Sequence, residues 1–205
     1  MAALEGLGVD RGRLEIRLGQ MVSLSSGRLG KRLGNAVDLD DVVNDLGPDA
    51  TRLLSLVSSL DQATTVDLDK VRAESRESPV FYVQYAHARI ASIQRVALER
   101  GIVREVVDAL DLNLLVHKRE LDLLRGLYEL PGVVRVACLE REPHRITAWA
   151  REFADRFHGF YHDCYVMGEG VEPELTQARL ALVEGARIGF AVALGLLGLS
   201  APERM

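Results

Sequence analysis

The chain has 205 residues, of which 48% are hydrophobic and 5% aromatic, a composition that supports a buried core and argues against disorder. Its formal net charge of −5 gives no support to nucleic-acid binding through overall charge, so any such binding must depend on local basic patches. The longest apolar run, Ile188 to Leu199, is too short to span a bilayer. With two cysteines and no visible signal peptide, we expect a cytoplasmic protein with reduced thiols and no membrane partner.

The N-terminal region contains short segments with a preference for β-structure. Leu14 to Leu18 and Met21 to Leu24 are the two predicted strands. Two such strands are too few for a stable sheet. We therefore expect them to be the remnant of something larger, or to dock onto it.

A glycine-rich basic segment follows, from Gly27 to Asn35, with three glycines and three basic residues in nine positions. Backbone N–H groups in glycine-rich turns, together with Arg28, Lys31 and Arg32, are suited to binding phosphate. The alternative is a surface hairpin whose charges are solvated.

Residues 38–76 are predicted to form short helices that act as a structural connector. Gly47-Pro48 marks the end of one helix and the start of the next. An apolar helix is expected to carry Leu53, Leu54, Leu56, Val57 and Leu60, and Val66 to Asp69 leads into another short helix.

A longer helix is predicted from Pro79 to about Gly101. Proline suits the first helical turn, the Ser78 hydroxyl can cap it, and glycine is a common stop. One face of this helix carries Phe81, Tyr85, Ala88 and Ser92. Spacing alone favours an ordinary amphipathic core helix.

The C-terminal half is predicted to be helical, while Val103 to Asn113 is ambiguous. Helical spacing of apolar residues predicts a helix from Lys118 to Tyr128, and Pro131 is predicted to start a separate one. A long helix is expected from Glu142 to about Tyr165, and the last helix from Pro173. The predicted fold class is therefore mainly α.

Four strings in this region are more specific than their periodicity. They are Pro79 to Ile90, Glu142-Pro143-His144, Ala178-Arg179-Leu180 and Pro202 to Met205. Together they resemble the C-terminal anticodon-binding domain of class I arginyl-tRNA synthetases, known as the DALR domain. The basic loop resembles the second signature loop of those enzymes, although Leu29 and Gly30 replace the expected Met and Ser.

The resemblance implies three regions: residues 1–37 as a remnant of a Rossmann-like catalytic core with the signature loop, 38–77 as a helical connector, and 78–205 as a DALR-type helical bundle. In the family the loop stabilises the ATP phosphates, which would assign that role to Arg28, Lys31 and Arg32. The His-Ile-Gly-His motif of the catalytic core is missing. We therefore expect no catalytic residues and no aminoacylation by this chain alone, with ATP as a cofactor only if a catalytic core is supplied.

Exposed aromatic residues near a basic surface can stack on unpaired bases. Tyr161 and Tyr165 lie four residues apart, which places them on one helical face. The resemblance implies that both tyrosines and Met205 contact the anticodon loop, with Tyr85 and Arg89 on the helix that faces it. A comparably good explanation is that Tyr161 packs in the core and Tyr165 is a surface residue without a binding role.

The sequence gives less support to a metal site or a reactive thiol. His158 and His162 are spaced for a metal ion, but no third ligand is apparent, so we expect no metal site. Cys164 has no basic partner visible in the sequence, and we expect an unreactive thiol.

The leading hypothesis is therefore binding of the tRNA(Arg) anticodon loop, as part or as a stand-alone paralogue of an enzyme that ligates arginine to tRNA with ATP. One alternative is a split enzyme, in which the phosphate loop serves a catalytic-core polypeptide. The other is a protein-interaction module or homo-oligomer that binds no RNA.

Overall fold

The computed structural model describes residues 17–20, 22–25, 39–72 and 77–205. The three residues predicted to bind phosphate, Arg28, Lys31 and Arg32, lie outside these ranges. So does most of the predicted strand from Leu14 to Leu18.

A two-stranded parallel sheet lies at the N-terminal end of the described chain. Strand β1 (Val22–Leu24) pairs with β2 (Thr64–Val66). β1 lies within a predicted strand, whereas β2 lies in the connector that was predicted to be helical. The Thr-Thr-Val sequence of β2 is β-branched throughout, and such side chains suit a strand. Strand β1 therefore docks onto a later part of the same chain.

Three short helices form in the connector, as predicted, but the apolar helix expected to reach Leu60 ends at Ser55. They are α1 (Leu39–Leu46), α2 (Pro48–Ser55) and α3 (Leu68–Arg72). Gly47 separates the first two with a positive φ of 80°, a conformation that glycine adopts without steric cost. The Arg72 guanidinium binds Asp45, which joins α3 to α1.

Helix α4 (Pro79–Glu99) follows the sequence prediction closely. The Ser78 hydroxyl accepts a hydrogen bond from the Phe81 N–H at 3.4 Å and donates one to the Val71 carbonyl at 3.0 Å. Gly101, just beyond the helix, has a positive φ of 73°, typical of a residue that ends a helix.

Helix α5 (Lys118–Glu140) is continuous, so the prediction of a new helix at Pro131 was wrong. Leu123, Leu130 and Ala137 are buried at intervals of seven residues, which keeps one face of the helix against the core on both sides of the proline. Pro131 itself is exposed. Packing of this face outweighs the one backbone hydrogen bond that the proline cannot donate.

Helices α6 (His144–Asp163) and α7 (Pro173–Leu196) complete a bundle with α4 and α5. Two short 3-10 turns, Val107–Ala109 and Leu112–Leu114, occupy the ambiguous region before α5. The described fold is mainly α with one small sheet, which confirms the predicted fold class.

The core of the bundle is built on aromatic residues of α6. Trp149 stacks on Phe153 with ring centroids 4.7 Å apart, and its indole N–H donates to the Gly126 carbonyl of α5 at 2.9 Å. Phe190 of α7 packs against both rings. Leu53 of α2 is 1% exposed and belongs to this same core, so the connector packs as part of the bundle.

Among the helices of the described residues, none combines the length and the apolar character needed to cross a membrane.

The contact between α5 and α6 yields a prediction. A Cβ at Gly126 would lie 2.8 Å from Cδ2 of the buried Phe153 ring, whereas a Cβ at Gly132, on the same helix, meets nothing within 4 Å. We expect Gly126→Ala to lower the free energy of unfolding by about 1–3 kcal/mol through overpacking. Gly132→Ala should raise it by roughly 0.5–1 kcal/mol through helix propensity. Urea unfolding of both variants tests this; equal effects would contradict the packing argument.

Candidate nucleic-acid interface

The five residues predicted to contact tRNA lie on one side of the bundle. Tyr85 and Arg89 project from α4, Tyr161 from the end of α6, and Tyr165 from the segment after it, while Met205 ends the chain. We call this surface the aromatic–arginine face. Three adjoining grooves cross it, and Arg89 and Tyr161 line all three.

Arg89 lies at the centre of the face between two tyrosine rings. Its guanidinium carbon is 4.8 Å from the centroid of the Tyr85 ring and 4.7 Å from that of Tyr161. Its Nη2 group also donates a hydrogen bond to the Tyr85 hydroxyl. These cation–π contacts fix the two rings relative to each other across α4 and α6.

The first groove, of about 670 Å³, runs between α4 and the C-terminal tail. Tyr85, Arg89, Tyr161 and Met205 all line it. The Met205 side chain is exposed at its edge. The structure therefore brings four of the five predicted residues into one groove.

The second groove, of about 930 Å³, lies on the other side of Tyr85. Phe81 stacks on Tyr85 with ring centroids 5.8 Å apart and an interplanar angle of 9°. The His158 ring packs 5.3 Å from the Tyr82 ring and 6.2 Å from Tyr85. Phe81 and His158 extend the aromatic surface, with the buried Tyr82 ring behind them, and the sequence analysis assigned none of the three to the interface.

The third groove, of about 230 Å³, adjoins the first through Arg89 and Tyr161. Tyr165 lines it with a side chain that is 75% exposed. Tyr161 is 44% exposed, whereas its neighbours Phe157 and Phe160 are fully buried. Both tyrosines therefore lie at the surface, and the explanation that Tyr161 packs in the core is wrong.

The C-terminal tail is held in place by residues far away in the sequence. One carboxylate oxygen of Asp49 accepts hydrogen bonds from Gln84 Nε2 at 2.7 Å and from the Ser200 N–H at 3.1 Å. The buried His87 donates from Nδ1 to the Pro202 carbonyl at 2.9 Å. These contacts determine where Met205 lies.

Sequence reasoning missed this anchoring role. The tail partners of Asp49 and His87 are more than 100 positions away in the sequence. No local pattern indicates such a pairing.

The charge of the face differs from that of the whole chain. Five arginines and three acidic side chains line the grooves, an excess of basic over acidic side chains on a chain with a net charge of −5. The arginines are Arg89, Arg95, Arg100, Arg119 and Arg204. The composition indicated that any nucleic-acid binding must depend on local basic patches, and the arginines of the grooves form such a patch.

His162, one of the two histidines spaced for a metal ion, takes part in an ion-pair network. His162 is exposed and pairs with Asp163 at 2.7 Å, and Arg119 Nε also binds Asp163 at 2.7 Å. These two partners hold the pKa of the Asp163 carboxyl below its usual range. Among the described residues, no group of three or more His, Cys, Asp and Glu side chains is placed to hold a metal ion.

This fold and face define a helical domain with an exposed aromatic and basic surface. The family model of the DALR anticodon binding domain matches residues 83–205, more than half of the chain. The chain therefore belongs to the DALR anticodon-binding domain family.

Its relatives are named arginine–tRNA ligases. The chain is 46% identical to the one from Frankia alni over 94% of its own length, and 42% identical to that from Moorella thermoacetica over 99%. It spans 36% and 37% of these two relatives, about a third of their length.

Solved structures of synthetases share the fold of this chain. An arginyl-tRNA synthetase from Campylobacter jejuni matches the whole chain with a TM-score of 0.80 and 30% identity, and 44% of that protein is covered. The arginyl-tRNA synthetase of Thermus thermophilus shares the fold, with a TM-score of 0.72 at 21% identity over 91% of this chain and 35% of that one.

The tail anchors yield a testable prediction. Asp49→Ala removes the acceptor of the Ser200 N–H, and we expect faster amide hydrogen exchange at Ser200 and faster carboxypeptidase digestion of the tail. Asp61→Ala, at an exposed carboxylate of the same connector that takes no part in these bonds, is the control. Unchanged exchange at Ser200 in the Asp49 variant would show that other contacts hold the tail, such as the hydrogen bond from His87 to the Pro202 carbonyl.

The different burial of the two cysteines yields a second testable prediction. Burial, with the nearby Glu120 carboxylate second, raises the pKa of the Cys164 thiol, which lies 3.1 Å from His117 Nδ1, whereas Cys138 is exposed. Because the thiolate is the nucleophile, we expect iodoacetamide at pH 8 to modify Cys138 first and Cys164 only on unfolding. Mass spectrometry of tryptic peptides over time would reveal the order. Equal rates would contradict the burial of Cys164.

Proposed function

We propose that the aromatic–arginine face binds the anticodon loop of tRNA(Arg). The observation that carries the proposal is the packing of the Arg89 guanidinium between the Tyr85 and Tyr161 rings, beside the exposed Tyr165 and Met205. Membership of the DALR family and similarity to arginine–tRNA ligases support it.

Recognition would proceed by stacking of unpaired bases on the exposed rings. Sequence-specific RNA binding favours single-stranded loops because their bases can splay out and stack on aromatic side chains. The flat surfaces offered here are the outward parts of Tyr161 and Tyr165, with the flexible Met205 thioether at the groove edge. Arg95, Arg100 and Arg204 line the same grooves and would contact the RNA backbone.

Preorganisation supports this assignment. Arg89 holds Tyr85 and Tyr161 in place, and the tail that carries Met205 is fixed by Asp49 and His87. A surface whose side chains are already ordered loses less conformational entropy when it binds.

The contribution to a larger reaction is also proposed. The relatives that are about three times longer ligate arginine to tRNA, as their names state. We propose that this chain supplies tRNA binding to such a reaction and does not aminoacylate alone. Arg28, Lys31 and Arg32 would contact ATP phosphates only when a catalytic core is present.

Tyrosine variants test the proposal. Base–aromatic stacking contributes on the order of 1–3 kcal/mol per base, so Tyr165→Ala should weaken binding of an arginine-accepting tRNA by about 5- to 150-fold. Four of the five tyrosines of the chain line the grooves, and Tyr128, 86% exposed on α5, does not, so Tyr128→Ala is the matched control. Fluorescence anisotropy with labelled tRNA at two salt concentrations would measure both variants.

A second tRNA, altered only in the anticodon loop, completes this experiment. We expect it to bind more weakly than the unaltered tRNA and to be insensitive to Tyr165→Ala. Equal, weak binding of both RNAs that vanishes with salt would indicate phosphate attraction alone and would contradict the proposal.

A further inference from the structure

A buried carboxylate lies behind the aromatic–arginine face. The Glu120 side chain, in the first turn of α5, is 1% exposed. One of its oxygens accepts a hydrogen bond from the His117 N–H at 2.8 Å. The other accepts a hydrogen bond from Nε of Arg179 on α7 at 2.7 Å. Both oxygens are thus satisfied, as a charge buried in a core requires.

The same arginine reaches the candidate interface. Arg179 Nη1 donates a hydrogen bond to the main-chain carbonyl of Tyr165 at 2.5 Å. A continuous path of hydrogen bonds therefore runs from α5 through α7 to the residue with the most exposed ring on the face.

Tyr165 depends on such a contact because of its position. It lies between the end of α6 at Asp163 and the start of α7 at Pro173, and its ring is 75% exposed. A ring that makes little contact of its own is oriented chiefly by its backbone. The preceding residue, Cys164, is buried, so the backbone of Tyr165 is fixed on one side by packing and on the other by Arg179.

We propose that Arg179, oriented by Glu120, is a positioning residue that holds Tyr165 in the geometry for stacking on RNA. This inference rests on the proposed function, and nothing in the family match assigns the role. Arginine is suited to it because the planar guanidinium directs separate N–H groups at the carboxylate and at the carbonyl. A lysine ammonium can keep the ion pair with Glu120, but it lacks this fixed fork.

The test is therefore Arg179→Lys rather than removal of the charge. We expect the variant to bind the arginine-accepting tRNA about 3- to 10-fold more weakly, the lower part of the range for residues coupled through contact. Its thermal midpoint should stay close to that of the unmodified chain, because the buried ion pair is kept.

The matched control is Arg156→Lys. Arg156 pairs with Glu129 at 2.8 Å and joins α6 to α5 through a partly exposed ion pair, and like Arg179 it lines none of the three grooves. We expect this variant to leave tRNA binding unchanged.

A double-mutant cycle separates positioning from general stability. If Arg179 acts through Tyr165, Arg179→Lys should cause no further loss of affinity in the Tyr165→Ala background. Losses that multiply in the double variant, or an Arg179→Lys affinity equal to that of Arg156→Lys, would overturn the positioning role. A Tyr165→Ala variant that binds as tightly as the unmodified chain would instead contradict the proposed function itself.

Glu120→Gln provides a second variant. Loss of the carboxylate charge should weaken its hold on Arg179 and lower tRNA affinity by at least as much as Arg179→Lys. If this variant does not fold, the Arg179→Lys cycle still decides the question.

Discussion

The aromatic packing of α6 is the interaction on which the rest of the molecule depends. Trp149 and Phe153 stack inside the bundle, with the Trp149 N–H bonded to the Gly126 carbonyl, and this contact fixes how α6 is rotated against α5. Because Phe157 and Phe160 then point inward, Tyr161 is left at the surface beside Arg89 of α4. The candidate interface is thus a direct consequence of the core, and a change in the core would move it.

The connector contributes to this interface as much as to the fold. Leu53 is buried in the core of the bundle, and Asp49, four residues before it, binds the tail at Ser200. The position of Met205 is therefore set from α2 as well as from α4. These contacts order the tail that lines the first groove.

The positive charge of the aromatic–arginine face is also local, because it comes from the arginines that line the grooves. A net charge of −5 repels RNA at long range, but salt largely screens that repulsion beyond about 8 Å at physiological ionic strength. The arginines of the grooves act within this distance. Arg89 is held by the rings of Tyr85 and Tyr161, and Arg119 by Asp163, so these two groups are ordered before any ligand arrives.

The sequence by itself determined the helical class, the start and end of α4 through Ser78, Pro79 and Gly101, and the family. These depend on neighbouring residues and on short specific strings. It gave the wrong result at Pro131, because the packing of residues seven apart along α5 outweighs the local preference of proline. Only the tertiary structure decided the pairing of β1 with β2, the anchoring of Ser200 by Asp49, and the link from Glu120 through Arg179 to Tyr165. The strand pairing, the contact of Asp49 with Ser200 and the contact of Glu120 with Arg179 each join residues more than 40 positions apart, whereas Arg179 and Tyr165 are 14 positions apart. Sequence spacing cannot select one such partner among many, because the choice depends on how the helices pack.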